Sequence, residues 1–182
     1  ILPLKSLRLF ECVRSTRRSL SPSIDGLLRA MATSTPKPSS SHVVLGVSSL
    51  PTKGVSRLEA AANQQIERRF HQQLRKAATD HGLDYLGAAE QPVAESDWLE
   101  QQISRHEYLA VSILAHGDSN NYAIRFRSTR WRGKAPLEKV SWLILQSCSM
   151  GQLAGVLDVE GFCARLIAYR ARAVVAPLWD VN

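Results

Sequence analysis

"YLAVSILAHG", residues 108 to 117, decides the fold. It is a continuous apolar run that breaks at His116 and Gly117. A strand with one face in water alternates apolar and polar side chains, whereas a strand covered on both faces has no polar side to present. The run therefore predicts a core strand of a mostly parallel sheet. "LEKVSWLILQSC", 137 to 148, has the same character and ends at Cys148.

Outward from these two runs, strands alternate with helices. "VVLGVSS", 43 to 49, reads as a buried strand. Residues 56 to 82 read as a helix that places Leu58, Ala61, Ile66, Phe70, Leu74 and Ala77 near one face and stops at Gly82. "LDYLG" is a second short strand, and "AESDWLEQQISRH" is a helix with Ser96 as its cap and Trp98, Leu99 and Ile103 on its apolar side. "NYAIRF" alternates, as a hairpin arm does. "VEGFCARLIAYRA" predicts a third helix, with Cys163 on its apolar face, and "RAVVAPLWDVN" opens with a last strand. Helices between short continuous strands predict an α/β three-layer sandwich around a mostly parallel sheet. Sites in such sheets form beyond the carboxyl ends of the strands.

Composition agrees with a packed domain: 45% of the 182 residues are apolar and 21% charged, which excludes a disordered or fibrous chain. No run approaches the ~18 apolar residues of a membrane-spanning helix, so no membrane partner is expected. The net charge of +7 is uneven, because residues 1 to 37 hold seven basic residues against Glu11 and Asp25. Residues 1 to 32 read as a basic leader, or as a segment of a larger chain, and residues 33 to 42, "TSTPKPSSSH", as a linker. Residues 43 to 182 form the domain proper. Three cysteines, Cys12, Cys148 and Cys163, without paired spacing, point to a reducing, cytoplasmic setting and away from a disulfide scaffold.

His116 and Cys148 each close a core strand, 32 residues apart. On neighbouring strands they would emerge at one edge of the sheet, where an imidazole turns a thiol into a nucleophile. Gly117 follows the histidine, and Ser149 and Gly151 follow the cysteine, so backbone N–H groups there are open to a developing oxyanion. His42, His71, His81 and His106 read as solvated, and no metal-ligand spacing links the five histidines. Trp142 and Trp179 read as packing residues, with Trp179 near the site edge. "RFRSTRWRGK", 125 to 134, mixes arginines with Phe126 and Trp131 in the manner of nucleic-acid contacts, although a hairpin tip or partner-docking loop accounts for it as well.

"QSCSMG" resembles the signature around the caspase nucleophile. More closely, "ILAHGDS", "SWLILQSCSMG" and "VEGFCARLIAYRARAVVAPLWDV" resemble, in order, three motifs of the CHAT proteases, which are caspase-like, separase-related cysteine proteases. The resemblance covers roughly residues 43 to 182. It implies a caspase-like fold, with His116 as general base, Cys148 as nucleophile, and Gly117 and Cys148 as backbone donors to the oxyanion. It also implies that Asp180 lies near the pocket for the residue before the cut, where a carboxylate favours a basic side chain, although a solvated or capping acid accounts for Asp180 as well; Trp179, beside it, is the residue that could line that pocket. No metal or organic cofactor is needed for this chemistry. The partners implied are a protein substrate and a regulatory protein or attached repeat domain, with nucleic acid not a direct ligand. The chain departs from the family at Met150, where a small polar residue is usual, and in a shortened segment between His116 and Cys148. It ends at Asn182, before the family's last helix and strand, which implies a domain truncated at its C-terminus. Two other readings stay open: a non-catalytic docking module of the same fold, and a basic α/β domain that binds nucleic acid.

Overall fold

The computed structural model of the chain describes residues 41–87, 96–118, 123–134, 136–147, 162, 166 and 172–176. The leader and most of the linker lie outside them. In chain order the elements are β1 (Val43–Ser49), α1 (Arg57–Asp80), β2 (Asp84–Gly87), α2 (Ser96–Arg105), β3 (Tyr108–Asp118), β4 (Ala123–Arg125), β5 (Arg130–Trp131), β6 (Val140–Gln146) and β7 (Val174–Val175). Of the expected third helix, Phe162 and Leu166 are described; both are helical and buried.

Among the described residues, five strands run parallel in the order β2-β1-β3-β6-β7. The expected core strands 43 to 49 and 108 to 117 match β1 and β3, and the third is trimmed from 137–148 to β6. β3 is the longest strand and outruns its parallel neighbours. Its last residues, His116 to Asp118, pair antiparallel with β4, and β4 pairs with β5, so "NYAIRF" does supply a hairpin arm. The result is a mixed α/β fold on a mostly open, mostly parallel sheet.

Successive side chains on a strand point to opposite faces, and the core divides accordingly. Val44, Ala110, Ile144 and Val175 pack with Phe70, Leu74, Ala77 and Ala78 of α1. Leu45, Val47, Val111, Ile113, Leu143 and Leu145 pack with Leu99 and Ile103 of α2 and with Phe162 and Leu166. Both faces of β3 are therefore covered, which is why its sequence does not alternate. Burying one such aliphatic side chain contributes about 1.5–3 kcal/mol, so adjacent apolar residues each add stability only where both faces are dry.

α1 starts at Ser56, whose Oγ accepts from Glu59 N at 3.1 Å. It stops in a Schellman turn, with Gly82 N donating to Thr79 O at 3.0 Å and Leu83 N to Ala78 O at 2.8 Å. Gly82 has φ +67°, a conformation that carries a Cβ penalty in other residues. The expected apolar face is correct only from Phe70 onward: Leu58 is 86% exposed and Ile66 47% exposed. The reason is length. At about 1.5 Å per residue the helix spans ~36 Å, while a seven-residue strand such as β1 spans ~23 Å, so the first turns of α1 have no sheet beneath them. At the start of α2, Ser96 is the first helical residue rather than the cap before it, and its backbone N donates to Thr129 Oγ1 at 3.0 Å.

Candidate active site

The parallel ladder between β3 and β6 runs from Tyr108↔Val140 to Leu114↔Gln146. Every pair in it is offset by 32 residues. His116 lies two positions past the last pair, exposed at the carboxyl end of β3 and opposite Arg125 of β4. Gly117, half-buried, faces Ile124 across the same pair of strands. Asp118 ends the strand and meets Arg130 at 3.7 Å. The condition set by the sequence reading, that the strand of His116 neighbour the strand leading to Cys148, is met by β3 and β6, which pair in parallel. Cys148, Trp179 and Asp180 themselves lie outside the described residues, as do Cys163, Ser149 and Gly151.

The face of the sheet that carries His116 is polar toward its carboxyl end. Gln146 Nε2 donates to the fully buried Ser112 Oγ at 3.3 Å, tying β6 to β3. Just past β6, Ser147 is 2% exposed and its hydroxyl has no hydrogen-bond partner among the described residues. That orphan hydroxyl sits at the last described residue before Cys148.

A second polar cluster was not anticipated. His71, expected to be solvated, is 7% exposed. Its Nε2 is 2.9 Å from Ser48 Oγ, and its Nδ1 is hydrogen-bonded to Tyr85 Oη. The periodicity contained the signal, because Glu67, His71, Leu74 and Ala78 follow one another at steps of four, three and four, the inner stripe of a helix. Counting His71 as polar removed it from a stripe to which its position assigns it. Of the other histidines expected to be solvated, His42 and His106 are exposed, whereas His81, at the end of α1, is half-buried.

The carboxyl end of β1 is held by Glu67. Its Oε1 accepts from Leu50 N at 2.7 Å, and its Oε2 from Arg127 Nη2 at 3.0 Å. Arg127 also donates from Nε to Leu50 O at 3.2 Å and from its backbone N to Ser49 Oγ at 2.9 Å. This clamp ties the β4–β5 hairpin to α1 and β1. It also alters the reading of "RFRSTRWRGK". Phe126 and Trp131 are core residues, 5% and 1% exposed, so neither is a platform for stacking bases. Arg127 and Arg130 are engaged by carboxylates of the same chain.

Among the described residues, no three His, Cys, Asp or Glu side chains come together as a metal site. None of their helices is long and apolar enough to cross a membrane. No protein-family model, curated protein or solved structure matches the chain. What the geometry defines is the class: a mixed α/β domain on a mostly open, mostly parallel sheet, with His116 exposed at the carboxyl end of β3.

Proposed function

We propose that the chain is a cysteine endopeptidase of the CHAT or separase-like type, built as a caspase-like three-layer sandwich, with Cys148 as nucleophile and His116 as base. The observation that carries this reading is the register of β3 against β6. Its offset of 32 residues is the separation of His116 from Cys148, so continuing the ladder by two residues would set them side by side on the same face. Neighbouring strands lie about 4.7–4.9 Å apart, close enough for an imidazole to take a thiol proton. Arg125, across from His116, would add a cation that favours thiolate.

In this reading the thiolate attacks the scissile carbonyl, and the Gly117 and Cys148 backbone N–H groups receive the oxyanion. His116 returns the proton to the leaving amine. Asp180 and Trp179 border the pocket for the preceding residue, which is basic. The substrate is a protein, and a regulatory partner or attached repeat controls access, in a reducing compartment. The test is thiol reactivity. Cys148 is expected to react with iodoacetamide near neutral pH much faster than Cys12 or Cys163, and His116→Ala to remove the difference. Equal rates at the three cysteines would leave the domain a docking module and remove the enzyme.

A further inference from the structure

We propose that Ser48 is the nucleophile of a second, acyl-transfer site, with His71 as its base and Tyr85 as the residue that positions that base. Ser48 is the penultimate residue of β1, level with Leu114 of β3, at the carboxyl edge where α/β sheets place their chemistry. Its Oγ lies 2.9 Å from His71 Nε2, within reach for proton transfer. For Ser48 to donate, Nδ1 must hold the ring proton and give it to Tyr85 Oη, so the tyrosine selects the tautomer. Nucleophile, base and orienting group thus follow one another as they do in hydrolytic triads, with a phenol in the third place.

The phenol is held by a fit that admits no side chain beneath it. Gly46 and Gly87 are register partners on β1 and β2. A Cβ at Gly46 would lie 2.6 Å from Tyr85 Oη, and one at Gly87 would lie 2.8 Å from its ring. His71 is wedged edge-on between Phe70 and Tyr85, with ring centroids at 5.0 and 6.3 Å. Beside it runs an open groove of about 450 Å³, bordered by Arg68, Gln72, Arg75 and Lys76. The one carboxylate on it among the described residues, Asp80, is bound to Lys76. Arg68 and Arg75, the latter over the Tyr85 ring at 5.4 Å, place two guanidinium groups on the flank of the base, which suits a small ester whose anionic group reaches from Ser48 past His71 into the groove.

In the reaction, Ser48 Oγ bonds to the ester carbonyl carbon while its proton passes to His71 Nε2. The carbon–oxygen bond of the ester breaks, and the alcohol leaves with that proton. Water then attacks the acyl-serine, loses a proton to His71, and releases the carboxylic acid as Ser48 takes the proton back.

The experiment uses the full chain and a fluorophosphonate. The phosphorus–oxygen bond to Ser48 forms as the phosphorus–fluorine bond breaks, fluoride departs, and the serine proton goes to His71. Peptide mass mapping is expected to find one adduct, on Ser48, and Ser48→Ala to abolish it. His71→Gln is expected to slow labelling roughly 100-fold, the lower range for loss of a general base. Cys148→Ala is expected to label at the wild-type rate, which separates this site from the thiol site. With esters, Tyr85→Phe is expected to lower kcat with KM unchanged, as loss of base positioning does. Monoanionic 4-nitrophenyl succinate is expected to be turned over roughly two- to fivefold faster than neutral 4-nitrophenyl acetate, the scale of one surface charge contact, and Arg68→Ala to remove the preference. Folded wild-type chain without an adduct on Ser48, or labelling unchanged in His71→Gln, overturns the proposal; equal turnover of the two esters overturns its anionic substrate.

Discussion

Replacing Glu67 by alanine tests whether the carboxyl end of β1 is held by one buried carboxylate. Glu67 accepts from the buried Leu50 N–H at 2.7 Å and from Arg127 at 3.0 Å, and its own side chain is only 11% exposed. Removal leaves a buried N–H without a partner, which costs about 1–3 kcal/mol. The lost ion pair adds little, about 0–1 kcal/mol, because the Arg127 side chain is 44% exposed and returns to water. The expected loss is therefore about 1–4 kcal/mol, a urea midpoint shift of roughly 0.5–2 M for a domain of this size. Arg127→Ala strands no buried N–H and is expected to cost only about 1 kcal/mol. Glu67→Gln keeps an acceptor for Leu50 N and should fall between the two. The assay is urea unfolding followed by far-ultraviolet circular dichroism, with the double variant closing the cycle. A loss below about 0.5 kcal/mol in Glu67→Ala, or a larger loss in Arg127→Ala, refutes the reasoning that the amide and not the ion pair dominates.

Gly46→Ala forces Tyr85 Oη off a contact of 2.6 Å and is expected to cost about 1–3 kcal/mol, with part recovered when Tyr85→Phe removes the clashing oxygen; unfolding midpoints of the four forms measure the coupling. Leu74→Ala, at a residue with 0% exposure, is expected to lose about 2–5 kcal/mol. Leu58→Ala on the same helix, 86% exposed, should stay within about 0.5 kcal/mol, and a comparable loss at both would contradict the observed face of α1. Burial pushes the Tyr108 hydroxyl above its ordinary value of 10.0. Above pH 10 the unfolded chain then releases this proton before the folded chain does, so stability is flat below that pH and falls as pH rises through the folded value. Stability curves from pH 9 to 11 should show this fall in the wild type and a smaller one in Tyr108→Phe.

The apolar runs at 43, 108 and 140 and the glycine stop at 82 were sufficient for the strands, the long helix and the parallel sheet, because burial on two faces leaves a local mark in the sequence. Local marks also placed His116 at a strand end, where it is found. They did not extend to the first turns of α1. An amphipathic pattern records which residues lie on a face, but how far the opposing sheet reaches depends on strand lengths elsewhere in the chain.

The Ser48, His71 and Tyr85 cluster shows the same limit more sharply. Its members come from β1, α1 and β2, and each looks ordinary alone: a strand-end serine, a helical histidine and a strand tyrosine. Gly46 and Gly87 lie on separate strands, and only the pairing of β1 with β2 brings them together as the floor under one phenol ring. The sequence by itself determined which segments could be buried, since that follows from side-chain hydrophobicity and period. The tertiary structure decided which polar groups meet inside, because a hydrogen bond between distant residues depends on register and helix placement, and neither leaves a periodic trace in the chain.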